Sequence, residues 1–118
     1  MCRKAHGSAF GTFLHAHLRG FRWLSGEDTI SHYCSSAGND RAFCSACGSS
    51  MPVVNEEEGE VNIPAGSLDD DPGIKPVVHI FTAHKAPWHE ITDDIQQFDE
   101  FPPDEWIDKA INQSTLGD

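Results

Sequence analysis

Phe43-Cys44-Ser45-Ala46-Cys47-Gly48-Ser49 is the stretch whose reading decides the fold. Two cysteines separated by two residues can point both thiolates at one ion, and a glycine after the second lets the chain turn back with positive φ. A thioredoxin-type redox pair shares this spacing but opens a helix after a strand. Here Gly48-Ser49-Ser50 and then Met51-Pro52-Val53-Val54 read as turn followed by strand, which favours a zinc knuckle over a redox motif. Two buried cysteines that merely lie close together are the plainer alternative. Tetrahedral zinc takes four ligands, and the knuckle supplies two.

Working outward, Thr29–Cys34 is a strand by composition, and 35–40 is a loop that delivers Arg41-Ala42-Phe43 to the knuckle. Downstream, Asn55–Glu60 is an acidic hairpin tip, Val61-Asn62-Ile63 resumes a strand, and Pro64-Ala65-Gly66 ends it. Ser67–Gly73 is a turn-rich loop. Val77–Thr82 is expected to be the best-buried strand, with Lys85–Trp88 as the loop after it. Trp106, Ile107, Ala110 and Ile111 recur at helical spacing behind Pro102-Pro103, which predicts a helix over Asp104–Asn112. Upstream, Ser8–Trp23 reads as extended, split near Gly20 into two strands by a turn or bulge, and Ser25–Asp28 reads as a turn. The sum is a mainly β single domain over 1–118 with a short C-terminal helix.

A chain of 118 residues holds a modest core that a metal would help to staple. The net charge of −11, with eight scattered Lys and Arg, excludes a basic face for nucleic acid and disfavours an anionic membrane surface. No stretch reads as a bilayer span or a signal peptide. The four cysteines are not spaced as a secreted disulfide framework, so a reducing cytoplasm is the expected compartment.

Other residues carry weaker signals. Cys2 reads either as an exposed terminal thiol or, with Arg3 and Lys4 beside it to favour the charged form, as a thiolate. Cys34 alternates with Ile30 and His32 and is expected as a small buried apolar residue. His15 and His17, two apart on a strand, emerge on one face, a metal-ligand geometry that solvated strands also show. His79 is expected to be a hydrogen-bonded core histidine. Asp69-Asp70-Asp71 lacks the spaced ligands of a calcium loop and reads as an acidic turn, and Glu56–Glu58 as a solvated charge run. No Ser-His-Asp order or phosphate-cradling glycine loop is present.

Five stretches in order carry a family resemblance: Cys2–Gly7, Phe21–Glu27, Phe43–Ser49, Ile63–Asp70 and Lys85–Trp88. With them the chain resembles the glutathione-dependent formaldehyde-activating, or centromere-protein-V-like, family. The resemblance implies an Mss4-like fold of twisted antiparallel sheets and a carbon–sulfur lyase that joins glutathione and formaldehyde into S-hydroxymethylglutathione. It implies a structural zinc held by an early Cys-x-Cys plus a Cys-x-x-Cys matched by Cys44 and Cys47. It further implies a catalytic zinc held by Cys-x-Cys-x-x-Cys, of which Cys2 matches the last member.

The early Cys-x-Cys and the first two catalytic cysteines have no counterpart here, so the chain is expected to be truncated relative to the family and to lack its first strands. Both metal sites are then incomplete, and turnover is expected to be weak or absent. In an intact site, zinc would hold the glutathione thiolate for attack on formaldehyde. Cys2 would be the catalytic metal ligand, and Arg3 and Lys4 would offset the charge of bound glutathione. The alternative is a non-catalytic zinc-binding scaffold or protein-interaction module. A missing edge strand would also favour a homodimer.

Overall fold

The computed structural model describes residues 2–36 and 39–114, with backbone alone at 2, 3, 35, 36, 39 and 110–114. Two compact units are distinguished: residues 13–70, and residues 1–12 with 71–118. The architecture is mainly β with a short C-terminal helix.

In the first unit, β1 (Phe13–His17), β4 (Val53–Asn55) and β5 (Glu60–Pro64) form a three-stranded antiparallel sheet in the order β1-β5-β4. The acidic tip is a hairpin turn, as the sequence predicts. Asn55 Oδ1 accepts the Glu58 N–H at 3.3 Å, and Gly59 takes φ 66°, a left-handed value natural to glycine. The β-branched residues Val53, Val54, Val61 and Ile63 suit the pleat. Central β5 is covered on both edges, and its Val61, opposite Ala16 and Val54, is fully buried. In β1, Leu14 and Ala16 are half-buried while Phe13 and His15 are exposed, the period-two pattern expected of a strand.

The expected second strand before Trp23 does not form. Leu18–Gly20 is a 3-10 turn instead, and Phe21 and Trp23 meet edge to face at 5.2 Å. The expected loop at 35–40 is shorter than the sequence suggests. β2 (Ile30–Ser36) and β3 (Asn39–Cys44) run into it from both sides as an antiparallel pair, with a register shift between Cys34 and Ser36; residues 37 and 38 lie outside the described residues.

The second unit is held differently. A short helix, α1 (Cys2–His6), precedes Gly7. The stretch expected as the best-buried strand contributes only the two-residue β6 (Val78–His79), parallel to β7 (Gln96–Gln97). Val77 is 62% exposed and Ile80 44% exposed, and Phe81 enters the left-handed region at φ 55° and ends the extended run. From Phe81 the chain makes a 3-10 turn, Thr82–His84, tied to 98–100 by Phe98, Asp99 and Glu100 carbonyls. α2 (Asp104–Ser114) begins at the expected point, with Asp104 and Glu105 complementing the dipole of its first turn. Its Trp106 packs edge to face on Phe98 at 5.4 Å.

Candidate functional site

The knuckle is the turn of a hairpin. β3 leads in, and Ser49–Met51 returns along it: Cys44 N–H donates to the Ser49 carbonyl at 2.9 Å, Met51 N–H to the Ala42 carbonyl at 3.0 Å, and Phe43 bridges Ser50. Gly48 takes φ 79° and donates its N–H to the Cys44 carbonyl at 2.7 Å, which closes the loop. On the other side Ser45 N–H donates to the Thr29 carbonyl at 2.9 Å, so Cys44 is anchored from both edges. A turn and a strand follow the second cysteine, with no helix, as the sequence reading requires.

Cys44 is half-buried and Cys47 exposed. The Ser49 hydroxyl lies 3.1 Å from Cys47 Sγ. That contact, with the Ser49 backbone N–H and then the Cys44 thiol behind it, lowers the Cys47 pKa against a small opposing desolvation. Ser49 is the functional neighbour that residue-type reasoning missed. Its signal was its position two residues beyond the second cysteine, where a knuckle aims a backbone N–H and a side chain back at the sulfur.

Among the described residues, no group of three or more His, Cys, Asp or Glu converges on a point where a metal could sit. Cys44 and Cys47 would supply two of the four ligands of a tetrahedral site, so the described donor set does not fit zinc by itself. His15 and His17 do not complete it. Nε2 of His15 instead pairs across the sheet with Glu60 at 3.0 Å, the solvated-face arrangement. Cys34, expected to be buried, is exposed; among the described residues β2 is paired with β3 alone. His79 is hydrogen-bonded as expected, to Asp93 at 3.0 Å, but its side chain is half-buried, not in a core.

The side chains of Cys2 and Arg3 lie outside the described residues. Lys4 is described and exposed on α1. With Gly7, Ser8 and Trp88 it lines a shallow depression of about 180 Å³. Two stretches far apart in sequence, Cys2–Gly7 and Lys85–Trp88, thus meet within one unit. The second is fixed from below: Ala86 is fully buried, His89 N–H donates to the Ala86 carbonyl at 3.1 Å, and Lys85 Nζ donates to the His89 carbonyl at 3.2 Å. That anchoring leaves Trp88 72% exposed beside Lys4. An ammonium next to an aromatic wall can hold a carboxylate on a partly apolar body. The depression is smaller than the roughly 300–1,000 Å³ that encloses a drug-sized ligand, so it suits one end of a small peptide.

No described helix is long and apolar enough to cross a membrane. No curated protein matches the chain. Residues 1–84, which include both the Lys4 helix and the knuckle, match the family described as glutathione-dependent formaldehyde-activating enzyme, and the chain belongs to that family.

Proposed function

We propose that the chain binds glutathione and formaldehyde and catalyses their reversible condensation only weakly. The observation that carries this reading is the family match over residues 1–84. In the reaction the glutathione sulfur forms a bond to the formaldehyde carbon. The carbonyl electron pair moves to oxygen, and the proton released from the thiol ends on that oxygen as S-hydroxymethylglutathione; the reverse is carbon–sulfur lyase chemistry. Lys4 is assigned to a glutathione carboxylate, with Trp88 as the wall against which the peptide lies. Arg3 is assigned to the same charge-balancing role. Cys2 is assigned as the catalytic residue and metal ligand, and Cys44 and Cys47 as structural ligands. The proposed weak turnover rests on a shortage of cysteine ligands: of those the family resemblance implies, Cys2, Cys44 and Cys47 alone have counterparts in this sequence.

The same shortage favours a second reading, a non-catalytic scaffold that has kept the family's sheet. The proposed setting of either is cytoplasmic. A second copy adding at β1 or β4, the outer strands of the three-stranded sheet, would give a homodimer. Formaldehyde consumption with glutathione, followed by NMR alongside zinc analysis and size-exclusion chromatography, tests these proposals. The expected result is a rate slightly above the uncatalysed one that falls further in Cys2→Ser, with glutathione binding weakened in Lys4→Ala. Fast, Cys2-dependent turnover with two zinc ions per chain would overturn the weak-enzyme reading. No glutathione binding at all would leave the scaffold.

A further inference from the structure

We propose that the depression between α1 and the Lys85–Trp88 loop is a binding site for small aromatic carboxylates, molecules that carry one ring and one carboxylate. It shares Lys4 and Trp88 with the glutathione reading but does not require that glutathione bind there. Trp88, 72% exposed, supplies an aromatic wall, Gly7 and Ser8 leave room beside it, and Lys4 brings the charge. Size favours this class of ligand. An apolar cavity of roughly 150 Å³ takes one benzene ring, and the depression holds about 180 Å³. One ring with a short carboxylate arm fills that space, whereas glutathione places only one end in it.

The two walls are fastened to each other. Phe10 and His89 pack at a tilt with ring centroids 5.1 Å apart, which ties the segment after Ser8 to the segment after Trp88. Ser8 Oγ donates to the Phe10 carbonyl at 3.0 Å and the His89 N–H to the Ala86 carbonyl at 3.1 Å, so both walls are held before a ligand arrives. Phe10, 59% exposed, adds apolar surface to the same segment. Charge points the same way. Lys85 Nζ is engaged by the His89 carbonyl at 3.2 Å, while exposed Lys4 has no carboxylate paired to it among the described residues. The net charge of −11 opposes any anion, but at physiological ionic strength that repulsion is screened beyond about 8 Å, and direct contact with Lys4 is not.

The test titrates the full chain at physiological salt with hydrocinnamate, with its neutral amide and with propanoate, following backbone amide shifts by NMR. The expected result is saturable, millimolar binding of hydrocinnamate with shifts centred on residues 4–10 and 85–89. The amide and propanoate should each bind at least ~3-fold more weakly, and Lys4→Ala and Trp88→Ala should each weaken hydrocinnamate by at least ~3-fold. The amide and propanoate arms use the native chain, so they hold even where a variant is poorly folded. Absence of saturation, shifts centred elsewhere, or equal affinity for hydrocinnamate and either of the other two compounds would overturn the proposal. Glutathione is titrated separately. Hydrocinnamate binding without glutathione binding would sink the glutathione reading alone, and glutathione bound at these residues that hydrocinnamate does not displace would sink this proposal alone.

Discussion

The hairpin around Val61 and the stretch Val77–Thr82 are both rich in β-branched residues, yet they end in opposite environments. β5 is flanked on both edges, by β1 and β4, and Val61 is fully buried between Ala16 and Val54 in the pairing. Its hairpin partner lies only a tight turn away, so the ladder forms at little cost in loop entropy. The 77–82 stretch pairs with one parallel partner for two residues, and Phe81 leaves extended backbone at φ 55°. Its neighbours Val77 and Ile80 stay exposed. Between these two stretches, burial follows from a central place in a ladder more than from apolar content.

The largest effect should come from the centre of that ladder. Val61→Ala removes two methyl groups from a filled site and should cost about 2 kcal/mol, read from urea midpoints, whereas Val78→Ala should cost less than about 1 kcal/mol. Equal costs would break the comparison. A smaller effect tests the knuckle turn. Gly48→Ala meets no steric obstacle but forces a side chain into φ 79°, so about 1 kcal/mol should be lost with the fold retained.

The smallest effect belongs to Asp93, whose carboxylate accepts the Ile95 N–H and pairs with His79. The Ile95 N–H at 3.0 Å is the main cause of its lowered pKa and His79 adds to it, against desolvation. A carboxylate with its folded pKa below the unfolded value near 4 stabilises the fold above that value, and the contribution is lost as pH falls through the folded pKa. Asp93→Asn should therefore flatten the acid limb of the stability curve below about pH 4 and lower stability only slightly at pH 7. An unchanged acid limb would show that the exposed pair is not coupled to folding.

The knuckle and the acidic hairpin were legible in sequence because both are local. Cys-x-x-Cys-Gly and Asn-Glu-Glu-Glu-Gly specify a turn through residues with the required backbone freedom. The C-terminal helix was legible for the same reason, from proline and 3.6-residue periodicity. The candidate site was half legible. Lys4 and the Lys85–Trp88 loop stood out singly, but the depression they share depends on pairing across some eighty positions. The exposure of Cys34 and the interruption at Phe81 were likewise out of reach, since each depends on what lies beside the strand.

By itself the sequence determined the mainly β class, the turn positions and the identity of the two knuckle thiols, because these rest on backbone preference and local spacing. Only the tertiary structure decided that Val61 is the fully buried large side chain, that Trp88 stands beside Lys4, and that Ser49 reaches Cys47. It also decided that, among the described residues, Cys44 and Cys47 meet no third or fourth donor. Burial and site assembly are sums over residues distant in the chain, and local propensity carries no record of which distant segment will arrive.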